Sequence, residues 1–237
     1  MAHNKRCGVS ALIYSQGLYN YNNMSLLRLL LQNGGVFFDV GANIGSYTLV
    51  ASESSRARVF AFEPHPQTFS YLRRNVELNH RENVTLLNIA LGSFDGWLPL
   101  TDDSGSATNY INPIASDAIP VPCRRADAVS AELRVEPTVA KIDVEGFEYD
   151  VLVGFGRFRR NLDLLLVEMN GLADVRSMGQ EEVHRLLLED DLCGPYTCDF
   201  DAKTLRRGRW TVEDSVYLSK SFRNTIYGMG FSVEELL

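Results

Sequence analysis

No apolar stretch in this 237-residue chain approaches the roughly 18 residues that suggest a membrane span. Behind Lys5-Arg6, the run Ala11-Leu12-Ile13-Tyr14 is too short for the core of a signal peptide, so a cytoplasmic protein with no membrane partner is expected. Cysteine is scarce. Of Cys7, Cys123, Cys193 and Cys198, only the last two are close enough to invite a bridge or a shared metal, and reduced thiols are expected. The four histidines, His3, His65, His80 and His184, have no partner at metal-ligand spacing. Positive charge is in deficit, with 23 Lys+Arg against 30 Asp+Glu and a net charge of −7. The arginines sit in scattered groups such as Arg73-Arg74 and Arg206-Arg207 rather than a stripe, which argues against a nucleic-acid surface. Hydrophobic residues at 45% and charged ones at 22% exclude a disordered or low-complexity chain. With no internal repeat and no linker-like break, the expectation is one globular domain over residues 34–237 behind an N-terminal arm, residues 1–33.

β-like and helix-like segments alternate along the chain. The apolar runs at 36–40, 58–62, 84–89, 139–143 and 164–168 read as strands, with a later one at 214–218. Helices are expected over 46–53, from Pro66 through Phe69, Leu72 and Val76, around Phe147, Val151 and Leu152, and around Val183, Leu186 and Leu187. Near-continuous apolar strands separated by helices predict an α/β fold with a parallel sheet buried on both faces. Such sheets bind ligands beyond the carboxyl ends of their strands. Here five strands end in polar groups: Asp39, Glu63, Asn88, Asp143 and Glu168.

The turn after the first strand is Gly41-Ala42-Asn43-Ile44-Gly45, directly behind Asp39-Val40; Gly41 permits a tight turn, Gly45 lets the helix approach the sheet closely, and Gly41, Ala42, Asn43 and Gly45 are candidate ligand contacts. It lacks the third glycine of a dinucleotide fingerprint, and the acid before it repels a pyrophosphate. Asp39 suits a ligand carrying an ammonium and a sulfonium, and S-adenosylmethionine is of that kind. Glu63, ahead of Pro64, is placed to accept both ribose hydroxyls. Asn88, Ala90 and Leu91 lie where an adenine passes, although a plain strand exit at Gly92 explains Asn88 equally well. His65 reads either as a turn residue or as an overhang at the ligand's mouth.

Phe38 to Gly45, Phe62-Glu63-Pro64, Asn88-Ile89-Ala90-Leu91-Gly92 and Lys141-Ile142-Asp143-Val144-Glu145-Gly146-Phe147-Glu148, in that order, resemble the FkbM-type S-adenosylmethionine-dependent methyltransferases. The resemblance runs from about residue 34 to 170. It implies a Rossmann-like class I methyltransferase fold, with a seven-stranded, mostly parallel sheet, helices on both faces and one antiparallel strand near the C-terminus. It also implies methyl transfer to a hydroxyl of a sugar, polyketide or other small metabolite. A nicotinamide-dependent oxidoreductase and a catalytically silent cofactor-binding module are the competing readings.

Methyl transfer from a sulfonium needs alignment above all, and a base only where the acceptor is an unactivated alcohol. Asp143 is the first candidate for that base, then Glu145 and Glu168. Three neighbouring carboxylates also suit a hard divalent cation, but no further acid pair completes the set, so a metal is the less favoured reading and its requirement stays open. Glu148 reads as a helix-start acid, and Lys141 as a strand residue or the partner of a nearby acid. The polar stretch 102–120 reads as a flap beside an acceptor pocket, or as a surface insertion, with Ser104, Ser106, Asn109 and Tyr110 as candidate contacts. The arm's Tyr14, Tyr19 and Tyr21 offer flat surface to an acceptor or pack an outer face, and of these Tyr21 is the candidate contact. Acceptor identity and oligomeric state stay open.

Overall fold

The alternation of apolar runs and amphipathic segments becomes a layered α/β structure in a computed structural model of the chain. It describes residues 18, 20–102, 109–112, 118–169, 178–208 and 214–235. The order begins with α1 (Tyr21–Leu31), β1 (Gly35–Val40), α2 (Ser46–Ala51), β2 (Ala57–Phe62), α3 (Pro66–Leu78) and β3 (Val84–Leu87). Next come β4 (Ala90–Leu91), β5 (Gly96–Leu100), β6 (Ile119–Arg124), α4 (Ala126–Leu133), β7 (Val139–Ile142) and α5 (Glu148–Phe155). A 3-10 turn at Gly156–Asn161 leads to β8 (Leu164–Glu168), α6 (Gln180–Glu189), β9 (Leu192–Asp199), β10 (Thr204–Arg207), β11 (Asp214–Ser219), α7 (Arg223–Gly228) and β12 (Ser232–Glu234).

The main sheet runs β12-β10-β9-β11-β8-β7-β1-β2-β3. Strands β8, β7, β1, β2 and β3 are parallel, and β11 lies antiparallel between β8 and β9. The sheet therefore has nine strands where seven were expected. From β3 to β9 it holds seven with a single antiparallel member, β11; β10 and β12 are the additions. β10 turns back on β9, and β12 pairs parallel with β10, covering backbone groups that would otherwise form an open edge.

Strand side chains alternate between two faces. One face sets Phe37, Val59, Val139, Leu164 and Leu166 against α1, α2 and α7, through Leu27, Leu31, Tyr47 and Ile226. The other sets Phe38, Phe60, Phe62, Ile142, Leu165 and Val167 against α4, α5 and α6, through Val129, Val151, Phe155, Val183 and Leu187. Each side chain so buried contributes about 1.5–3 kcal/mol of apolar burial. Of the arm expected over 1–33, residues 1–17 and 19, with Tyr14 and Tyr19, lie outside the described residues. Tyr21–Leu31 is a helix capped by Asn20, with Leu26 and Leu27 fully buried on the sheet.

A second sheet, β4-β6-β5, was not foreseen. Its small core of Ala90, Leu98, Leu100, Val121 and Cys123 packs on Phe147, just ahead of α5. The loop expected over 102–120 is shorter than that, because Ile119 and Pro120 belong to β6 and Ile111 bridges back to Leu100. Cys123, Cys193 and Cys198 carry free thiols. Among the described residues no helix is long and apolar enough to cross a membrane.

Candidate active site

The period-two pleat places the polar strand ends. On the face carrying Phe37, Val59, Val139 and Leu166, the next same-face positions are Asp39, then Ala61 and Glu63, then Lys141 and Asp143, then Glu168. Parallel strands bring all of these to one side of the sheet. A cleft of about 230 Å³ opens there, lined by Asp39, Glu63, Lys141, Asp143, Glu145 and Glu168 among others.

Its floor is a tight joint. Gly41 adopts φ +78°, and a Cβ there would stand 1.8 Å from the Asp143 carbonyl oxygen, so only glycine lets the tips of β1 and β7 meet. The Gly41 and Ala42 N–H groups both donate to the Phe62 carbonyl, at 3.0 and 2.9 Å, tying this turn to β2. Glu63 then accepts from the Asn43 and His65 N–H groups, each at 2.9 Å. Burial pushes the Glu63 carboxyl up to about 7 despite those two hydrogen bonds. Asp39 is 1% exposed and accepts from the Thr48 hydroxyl at 2.5 Å. Burial raises it to about 6, opposed by Lys141 and Thr48. Its Oδ1 is buried in the cleft wall with no hydrogen-bond partner among the described residues.

Two residues expected at the ligand do not line the cleft. The Asn88 amide donates to the Glu63 and Pro64 carbonyls at 2.8 and 3.0 Å, so it clamps the turn and does not line the cleft. Gly45 is also absent from the lining. With φ +95° it starts α2, and a Cβ would meet Leu72 of α3 at 2.6 Å, so the close approach it permits is to a helix rather than to the sheet. Ala90 and Leu91 do line the cleft, joined by Ile89 and Pro64.

At the other end stand the charges. Lys141, 2% exposed, donates to Asp143 Oδ2 at 2.6 Å, and its ammonium lies 4.9 Å from the Tyr47 ring centroid. Burial raises Asp143, but the Lys141 charge and a hydrogen bond with Glu168 outweigh it and hold this carboxyl below the usual range. Glu168 moves the other way: burial, the Asp143 charge and their shared hydrogen bond keep it protonated at neutral pH. One oxygen from each of Asp143, Glu145 and Glu168 lies within 4.8 Å of the others. Glu145 takes a left-handed backbone (φ +54°), a costly conformation for a non-glycine residue. Glu148 closes the same turn by accepting from the Gly146 N–H at 3.0 Å, the helix-start role expected of it.

The cleft's outer wall comes from the small sheet. Leu100, Asn109, Tyr110 and Ile111 line it, and Asp102 meets His65 Nε2 at 3.1 Å. His65 has the turn role expected of it and also borders the cleft. It caps α3, its Nδ1 accepting from the Thr68 N–H at 3.3 Å, and it lines the cleft. Ser104 and Ser106 fall outside the described residues. Tyr21 lies away from the cleft, donating to Asp201 at 2.9 Å with its ring edge-on to Phe200. Sequence reasoning missed Tyr47, Thr48 and Ile89. The neighbours Tyr47 and Thr48 lie in the short helix after the glycine turn, where nothing but that position pointed to them.

A family model described as the methyltransferase FkbM domain matches residues 39–192, from the acid before the glycine turn to the first residue of β9. The chain belongs to the FkbM methyltransferase family. It is thus an S-adenosylmethionine-dependent methyltransferase of FkbM type, which sets the nicotinamide reading aside. Among curated relatives, hexuronic acid methyltransferase AglP of Haloferax volcanii is 31% identical over 180 residues, covering 70% of this chain and 68% of that one. Methyltransferase 1 of Beauveria bassiana is 33% identical over 142 residues, and the match spans 49% of this chain and 56% of the relative. Among solved structures, the precorrin-6y C5,15-methyltransferase of Geobacter metallireducens shares the fold with a TM-score of 0.52 at 19% identity, covering 84% of this chain and 81% of its own.

Proposed function

We propose that the protein transfers the methyl group of S-adenosylmethionine to a neutral hydroxyl of a small polyhydroxylated metabolite, a sugar, polyketide or similar natural product. The observation that carries this reading is Asp143, held ionised by Lys141 at the tip of β7 beside a protonated Glu168.

The donor's fit rests on the orphaned Oδ1 of Asp39, a buried acceptor suited to an ammonium. Bound in the cleft, S-adenosylmethionine supplies a methyl group already activated by its sulfonium. Asp39 receives the donor's amino end, beside the turn Gly41-Ala42-Asn43. Glu63, oriented by the Asn43 and His65 N–H groups, accepts the ribose hydroxyls. Pro64, Ile89, Ala90 and Leu91 offer an apolar slot to the adenine. Asp143 takes the acceptor's proton as the new bond forms, and a base so placed contributes about 10²–10⁴-fold. Glu168, already protonated, orients Asp143 rather than competing for that proton, while Glu145 orients the acceptor. Asn109 and Tyr110, with Ser104 and Ser106, are the contacts proposed for the rest of it.

An anionic acceptor atom fits poorly among these acids, since like charges a few ångströms apart in a partly dry cleft repel strongly. A carboxylate acceptor also needs no base. The Haloferax relative, named for a hexuronic acid, acts on a compound class with both groups, and the hydroxyls are the ones that suit this cleft.

A labelled-methyl screen over sugars, polyketides, peptides and lipids tests the reading, alongside calorimetric titration with S-adenosylhomocysteine. Asp143→Asn is expected to leave product affinity within a few-fold of wild type and to slow turnover ~100-fold. Unchanged turnover moves the base elsewhere. Product binding with no label transfer to any acceptor points instead to a silent cofactor-binding module.

A further inference from the structure

Lys141 is a buried ammonium surrounded by acids. Its register partner on β1 is Asp39, and on its own strand Asp143 stands one pleat further. Leu166 of β8 is its partner on the other side, which puts Glu168 beside Asp143. Glu145 comes from the turn before α5, and α2 lays the Tyr47 ring over the ammonium. Glu63, a strand further on, adds its charge to the same set, and Glu148 faces the turn's N–H groups.

We propose that Lys141 is the resident cation of this cleft, standing where a divalent metal would otherwise stand among Asp143, Glu145 and Glu168. It acts through Asp143 and is a positioning residue. The step from charge arrangement to catalysis rests on the proposed role of Asp143, but the arrangement itself does not.

A divalent ion binds carboxylate oxygens at about 2.0–2.6 Å. Among oxygens already within 4.8 Å of one another, such an ion would lie within a few ångströms of Nζ, itself 2.6 Å from Asp143 Oδ2. Two cations so close in a half-buried cleft repel strongly. The position of Lys141 in the sheet leads to the same assignment. The same face of β8 carries Leu166 beside Lys141, and that of β2 carries Ala61 beside Asp39, so packing alone asks for an apolar residue here. A lysine there requires the acids around it, because a buried ammonium without partners is strongly unfavourable.

The test is Mn²⁺ binding, read by electron paramagnetic resonance, with circular dichroism melting to establish folding. Wild type is expected to show no Mn²⁺ site that Asp143→Asn removes. Lys141→Met, with Lys141→Gln as the polar alternative, is expected to gain Mn²⁺ affinity ~10-fold or more, as added net carboxylate charge does in oxygen-ligand sites. Lys141→Arg returns the wild-type behaviour, and Lys141→Met with Asp143→Asn abolishes the gain. A wild-type Mn²⁺ site lost in Asp143→Asn overturns the proposal, whatever the lysine variants do, and so does a folded Lys141→Met with no gain. None of these readings depends on methyl transfer, so a failed acceptor screen leaves this test intact.

Discussion

An acid at a strand tip does different work in the two halves of the sheet. In the parallel half, Asp39, next to last in β1, has one oxygen buried with no partner among the described residues, in the wall of a cleft. In the antiparallel half, Asp199 ends β9 and accepts from the Ala202 N–H at 3.0 Å, closing the turn into β10. Parallel strands send every carboxyl end to the same side and must return through crossovers, so their tips border open space. Antiparallel neighbours are joined by short turns that use up the polar groups at their ends. Residue type alone is therefore not the signal; an acid at a tip matters where the chain leaves toward a helix.

The largest expected effect concerns the floor of the parallel half. Gly41→Val forces a side chain into the Asp143 carbonyl at a left-handed position and should cost 4 kcal/mol or more, roughly, or prevent folding, as urea denaturation will show. Gly208, after β10, has nothing among the described residues within 4 Å of an added Cβ, and Gly208→Ala should sit within about 0.5 kcal/mol of wild type. Equal costs at the two sites would erase the contrast.

Glu63 supplies the next. Its folded value of about 7 lies above its ordinary 4.5, so the folded state holds its proton more tightly. That favourable contribution is complete below about pH 4.5 and is lost as pH rises through about 7. Unliganded wild type should lose about 3 kcal/mol between pH 4.5 and pH 8 through this group, and Glu63→Gln should remove that slope in melts across the range. A slope unchanged in the variant would show the carboxyl to be better solvated than its burial implies.

Asp39→Asn should weaken S-adenosylhomocysteine binding ~10-fold or more by calorimetry, as loss of a charge-assisted hydrogen bond does, while Asp199→Asn should not change it. The smallest effect belongs to the far edge. Arg206 and Glu234 pair at 3.0 Å with both side chains more than half exposed, so Arg206→Ala should cost below about 0.5 kcal/mol in denaturation.

Much of the parallel half was legible because apolar strands ending in acids keep their meaning through local pattern. The strands, the glycine turn, Glu63 and the Lys141 to Glu148 motif all stand where the sequence placed them, or within a residue or two. The small sheet was not legible, because β4 is two residues long and β5 and β6 carry prolines at Pro99, Pro120 and Pro122 that obscure their alternation. Asn88 is turned away from the cleft lining for another reason. A polar group at a strand tip points toward the ligand or back into the turn according to the neighbouring carbonyls, and here Glu63 and Pro64 present two.

Which segments form strands and helices, and which strand tips carry charge, followed from the chain itself, since side-chain periodicity is a local property. Which of those charges meet did not. Lys141 and Asp143 share a face by spacing, but the partnership of Asp143 with Glu168, the orphaned oxygen of Asp39 and the turning of Tyr21 toward Asp201 depend on sheet order and helix packing. Those bring together residues distant in the chain, and pairwise burial and Coulomb energies then decide which carboxyl keeps its proton.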